Sequence, residues 1–249
     1  MRTLRTKRIL AILLGLAPLL LLAVSPAPVP QDALIKIYAP ASGSMVKSPL
    51  HVLASVSPGA GGKVSLRVVS ETGRTVAQKE WAFTTVGGNR ITIDQSFPFS
   101  VDGVAEAARL VIFTRDAEGR LIALSSEDIL LLGIGKTKLN EAGDLLEPFQ
   151  IFQPLPEENI HHGVIQIRGS VRPMKDALLI IEVVGPDGTA ISGIQLVEDF
   201  QAAREFMPLS MDLQFQVQKK TSARLTLRFI DPETKENLAV FSQVVILYP

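Results

Sequence analysis

Apolar and polar positions alternate along most of this chain with a period of two. Val52, Ala54 and Val56 alternate with polar or small neighbours, and Ile165, Ile167, Gly169 and Val171 do the same further on. Leu225, Leu227 and Phe229 are separated by Thr226 and Arg228. Such alternation predicts half-buried β-strands, each with one face on a core and one toward solvent. The strands are punctuated by turn-forming runs: Glu71-Thr72-Gly73, Pro186-Asp187-Gly188, Asp116-Ala117-Glu118-Gly119 and Asp231-Pro232-Glu233. Gly, Asp and Pro at such points favour tight reversals. Helical periodicity is confined to residues 199–206, a stretch with no counterpart elsewhere in the chain, which reads as a loop insertion.

The pattern occurs twice. At an offset of 115 residues, Val64, Leu66, Val68, Val69 and Gly73 fall on Leu179, Ile181, Val183, Val184 and Gly188. Ala108, Arg109, Leu110 and Asp116 fall on Ala223, Arg224, Leu225 and Asp231, while Ile129 and Leu131 fall on Val244 and Ile246. The offset is 114 where Ile37, Tyr38 and Pro40 meet Ile151, Phe152 and Pro154. It is 116 where Phe97, Phe99 and Val101 meet Leu213, Phe215 and Val217. Three blocks kept in step over a hundred residues define an internal duplication. About seven short strands per copy predict an all-β fold of two tandem antiparallel sandwiches. The expected boundaries are 31–133 for the first sandwich, 134–147 for a polar linker with at most a helical turn, and 148–249 for the second.

The first thirty residues differ. Arg2, Arg5, Lys7 and Arg8 precede an apolar run from Ile9 to Val24 broken only by Gly15 and Pro18. Positive charge followed by a short apolar stretch is the layout of an export signal. Sixteen helical residues span about 24 Å, less than a hydrocarbon core of about 30 Å. Ala23 and Ser25 offer a small-x-small cleavage site, but Pro26 and Pro28 stand just after the two possible cuts. A cleaved signal peptide and a retained N-terminal anchor with a Pro-rich spacer therefore both remain open. Either one places the body outside the cytoplasmic membrane, secreted or held at its outer face, with the membrane touched only through this segment.

The segment from Ile35 through Pro40, Val46 and Ser48-Pro49-Leu50 to Val52 and Val56 resembles the bacterial immunoglobulin-like domains associated with spore-germination proteins, called Gmad2. The second copy departs from that pattern, with His162-Gly163 in place of Ser48-Pro49, and takes the resemblance through the repeat. The resemblance implies an extracytoplasmic binding or assembly module, and it brings no catalytic residues.

Charge and composition narrow the rest. Lys plus Arg equals Asp plus Glu at 25 each, yet four of the positive charges sit before residue 9. The body is weakly acidic and offers no basic stripe for nucleic acid. With no cysteine there is no disulfide, thiolate metal site or cysteine nucleophile.

Gly133, Gly135, Lys136 and Thr137 are similar to the end of a phosphate loop, but Leu130 stands where its first glycine belongs. The histidines are His51, His161 and His162, and the adjacent pair would point to opposite faces of a strand. Acidic pairs at Glu127-Asp128, Glu157-Glu158 and Glu198-Asp199 read as solubilising loop ends. Asn140, Glu141 and Asp144 could offer hard oxygens to calcium in the linker, without a recognisable calcium loop. No nucleophile–base set, metal site or cofactor motif can be assembled, so no enzyme is expected.

Two binding surfaces remain. If Leu225, Leu227 and Phe229 face the core, the outward Thr226 and Arg228 correspond to Val111 and Phe113 in the first copy. Leu130 and Leu132 are outward on the last strand of that copy, which predicts an apolar strip of Val111, Phe113, Leu130 and Leu132 for an envelope-protein partner. The alternative is a carbohydrate- or peptidoglycan-binding accessory protein using Trp81, the sole tryptophan. Oligomeric state is not legible.

Overall fold

A computed structural model describes residues 32–59, 62–83, 89–196 and 205–249. The segment read above as a signal or anchor, and residues 199–204 of the expected insertion, lie outside them. Every regular element among the described residues is a strand, and all belong to one compact unit, Gln31–Pro249. The first half holds β1 (Ile35–Ala39), β2 (Met45–Lys47), β3 (Leu50–Val56), β4 (Lys63–Ser70), β5 (Thr75–Ala82), β6 (Ile91–Phe97), β7 (Ala105–Arg115) and β8 (Leu121–Leu132). The second holds β9 (Phe149–Gln153), β10 (Asn159–Ile160), β11 (Val164–Val171), β12 (Leu178–Val184), β13 (Ala190–Leu196), β14 (Met207–Gln214), β15 (Thr221–Ile230) and β16 (Asn237–Leu247). Each strand of the first half has its counterpart 114 to 116 residues on. The chain is all-β, built as two antiparallel, Ig-like sandwiches.

In the first sandwich β1, β3 and β6 form one sheet, and β5, β4, β7 and β8 lie in the other. Strand alternation decides which side chains meet between them. Leu50, Val52, Ala54 and Val56 of β3 face Val64, Leu66 and Val68 of β4, with Leu110 and Ile112 of β7 beside them. In the second sandwich Ile165 and Ile167 meet Leu179, Ile181, Leu225, Leu227 and Phe229, and the Phe149 and Phe229 rings stack at 4.9 Å. Gly73 and Gly188 both turn their hairpins at φ of 80° and 82°, a conformation that a β-carbon disfavours. The peptides before Pro40 and its counterpart Pro154 are both cis.

The two larger sheets are one. β8 pairs antiparallel with β16, giving a ten-stranded sheet in the order β13-β12-β15-β16-β8-β7-β4-β5, with β10 on β16 and β2 on β8. Leu124 faces Val240 at this seam, with Ser125–Ala239 and Ala123–Phe241 on either side. Since Ala123, Ser125, Ala239 and Phe241 point to one face, both three-stranded sheets cover the same side of the long sheet.

Two sequence expectations change. The last strands align at 116, not 115: Ile129 and Leu131 are buried opposite numbers of Val245 and Leu247, while Val244 and Ile246 turn outward. The turn from Asp231 to Glu236 is one residue longer than that from Asp116 to Arg120, which shifts everything after it. The linker contains no helical turn and does not span free space. Lys138 bridges Met45, the Asn140 N–H donates to Ser44 Oγ at 3.0 Å, and Leu146 bridges Asp32. Its polar groups find partners on both halves, with Arg172 of the second donating to Asp144 and to the Leu146 carbonyl.

Candidate functional site

The seam is where the two copies meet, and its contacts are reciprocal. Arg109 on β7 reaches Asp231, in the last hairpin of the second half, at 3.3 Å, and Arg224 on β15 reaches Asp116, in the last hairpin of the first, at 3.4 Å. Ser126 Oγ donates to the Leu238 carbonyl at 2.8 Å, and Ser242 Oγ to the Ile122 carbonyl at 3.1 Å. These pairs exchange under the repeat, as do Leu124 and Val240. A surface that meets its own counterpart in this way is isologous, the form of a two-fold dimer interface. Here it is closed within one chain.

The two clasps differ in depth. Asp116, Arg120 and Arg224 are each only 7% exposed, with Arg120 Nε on Asp116 Oδ2 at 2.8 Å. Burial draws the Arg224 guanidinium below its ordinary value despite Asp116. Arg109 also gives up solvation, but Asp128 at 2.7 Å and Asp231 together hold it above its ordinary value. Asp231 is desolvated too, yet the N–H groups of Thr234 and Glu233 and then Arg109 keep its carboxyl below the usual range.

The predicted apolar strip lies beside this seam. Val111 is buried, and Phe113 is half-buried with the Arg115 guanidinium 5.2 Å above its ring. Phe113 is paired with Leu124 and Leu124 with Val240, so one row on the outer face runs across both halves. Leu130 is half-buried between Ala107 and Met45, and Leu132 is buried. The open strip is therefore narrower than expected: β16 pairs beside Leu124 at one end, while β2 and the turn at Gly135 lie against Leu130 and Leu132 at the other. Sequence alone yields the two units without their placement.

On the covered side, the floor at the seam is made of small residues, Ala123, Ser125 and Ala239. A cleft of about 340 Å³ remains there between the two three-stranded sheets, walled by β1, the end of the linker and Arg172–Lys175. Four carboxyl groups line it, those of Glu127, Asp128, Asp144 and Glu147, and burial perturbs two of them. Burial pushes Glu127 up to about 7, opposed by a backbone hydrogen bond at Ser42 and aided by neighbouring Asp128. Burial likewise raises Glu147 to about 7, although it accepts the N–H groups of Leu34 and Phe149. Arg172 at the rim donates to Asp144, and burial lowers its guanidinium. Glu147 carries no signal in the sequence, since it is a lone acid between Leu145-Leu146 and Pro148-Phe149 with no motif around it.

The other candidates stay apart. Trp81 on edge strand β5 packs its ring partly on the first core, with Lys79 Nζ 5.4 Å from its centroid, so it is not an open stacking platform. His51 pairs with Asp94 at 2.7 Å, whereas His161 stacks on Tyr248 and His162 occupies a turn. Gly133, Gly135, Lys136 and Thr137 form the turn after β8, where Thr137 Oγ1 accepts the Lys47 N–H at 3.0 Å. Of the linker oxygens, Asp144 is held by Arg172, and the Asn140 amide donates to the Ser42 carbonyl at 2.9 Å. Among the described residues no three His, Cys, Asp or Glu side chains come together as metal ligands, and no helix is long and apolar enough to cross a membrane.

No protein-family profile matches this chain, and no curated protein matches it in sequence. Among solved structures it is similar to red sea bream transglutaminase, at 12% identity and a TM-score of 0.33, over 89% of this chain and 32% of that one. Dimeric latent PorU from Porphyromonas gingivalis gives 14% identity and a TM-score of 0.32, over 88% of this chain and 20% of PorU. The collagen adhesin of S. aureus gives 8% and 0.15, over 87% and 92%. The chain thus spans about a third or less of the first two proteins.

Proposed function

We propose that this chain is an exported, non-enzymatic protein of the bacterial cell envelope, a Gmad2-like binding or assembly module working outside the cytoplasmic membrane. The observation that supports this reading is the seam. Two sandwiches joined through a continuous sheet and reciprocal Arg–Asp clasps act as one stiff body, not as beads on a linker. A stiff body holds its loops and sheet edges at fixed spacing and loses little freedom on docking. Its long sheet ends in two strands of different character: β5 carries Lys79 and Glu80, while β13, Ala190 to Leu196, carries no charge. An uncharged edge is suited to receiving an extended segment of a partner. Basic residues followed by an apolar run at the N-terminus supply the export part of the reading.

The test is cross-linking of tagged full-length protein in cells, with mass spectrometry of what co-purifies. A discrete envelope protein joined through β13 or the first sandwich is the expected result. Recovery of cell-wall glycan alone, or of no partner, overturns it.

A further inference from the structure

The far end of the first sandwich carries a feature that the second lacks. Val104, before β7, and Ile134, after β8, are 67% and 68% exposed, the two most exposed large apolar side chains among the described residues. The loops that bear them are clipped together: the N–H groups of Gly133 and Ile134 donate to the Val104 carbonyl at 2.9 and 3.4 Å. A β-carbon on Gly133 would lie 2.2 Å from the Gly103 carbonyl oxygen, so the close approach depends on glycine. The two loops are thus held together on a firm tip, each bearing one exposed aliphatic side chain.

The surroundings are basic. Lys47, Lys136 and Lys138 are exposed on the strand and turn beside the tip, with Leu139 exposed further along. Asp102 belongs to the Val104 loop, Glu106 is paired with Arg74 at 2.6 Å, and Glu141 lies further back along the linker. The repeat supplies an internal control. At the place of Val104 the second copy has Lys219, next to Lys220, whose Nζ lies 5.5 Å from the Tyr248 ring. The fold therefore does not require an apolar residue at the place of Val104.

We propose that the Val104–Ile134 tip is a docking point for an anionic lipid surface. The two aliphatic side chains would enter the interfacial layer while the three lysines meet the headgroups. Apolar burial combined with lysine–headgroup attraction is how peripheral segments bind membranes. The inference is independent of the protein partner proposed above.

The chain has no cysteine, so one introduced thiol carries a unique label. Full-length Ile134→Cys and Lys219→Cys, each bearing an environment-sensitive dye, are mixed with phosphatidylcholine vesicles with and without phosphatidylglycerol. A blue shift at position 134 on the anionic vesicles alone, absent at 219, is expected. Lys136→Glu with Lys138→Glu should weaken it about tenfold or more. No shift at 134, an equal shift at 219, or an equal shift on neutral vesicles overturns the proposal. Because both labelled chains keep the N-terminal segment, insertion of that segment affects them alike.

Discussion

Arg109 and Arg224 hold the same place in the two copies, and each crosses the seam to the aspartate in the other copy's last hairpin. Their surroundings predict unequal worth. Asp116→Ala leaves Arg120 and Arg224 without their shared carboxylate in a buried site and should cost about 3–5 kcal/mol. Asp231 is nearer solvent, and Asp231→Ala should cost about 1–2 kcal/mol through its turn hydrogen bonds and a partly screened pair. Urea unfolding of both variants measures the difference; equal losses would refute the distinction.

Glu127 and Glu147 give the fold a defined pH response. Both folded carboxyls are raised from 4.5 to about 7, so between those values the folded chain keeps protons that the unfolded chain has released. Stability contributed by these groups is complete below about pH 4.5, declines as pH rises to about 7 and is level above it. The loss should be on the order of 3 kcal/mol per group. Glu127→Gln should flatten its share of the slope and stabilise the protein at pH 8. The second copy already has Gln243 at that position, buried, with its Nε2 donating to the Pro154 carbonyl at 2.6 Å. Unfolding free energies at pH 5 and pH 8 provide the check, and an unchanged slope in the variant would count against it.

Phe113→Asp should lower stability by about 2 kcal/mol, because the new carboxylate would stand in the row that passes through Leu124 to Val240. Thermal unfolding measures this. An unaltered transition would mean that Phe113 faces open solvent and is free to meet another protein.

These outcomes bear on what could be read from the sequence. Alternation and turns located the strands, because both reflect the local pleat and need no knowledge of neighbours. Arg109, Asp116, Arg224 and Asp231 were visible as matching positions, yet nothing in a linear repeat says that each arginine pairs with the other copy's aspartate. The same gap leaves the strip of Val111, Phe113, Leu130 and Leu132 as a surface for a partner, when β16, β2 and the turn after β8 narrow it. The last strand was misaligned by one residue because Val244 and Ile246 are apolar as well as Val245 and Leu247. Where both faces of a strand are apolar, alternation loses its phase.

A two-fold dimer of identical sandwiches would have to show every surface twice, once on each subunit. Fusing the pair through an isologous seam removes that obligation. Val104 and Lys219 can then stand at equivalent places and face different surroundings, and the uncharged strand β13 need not have an uncharged twin in β5. The duplication thereby yields a molecule with a front and a back, although its framework is nearly symmetric.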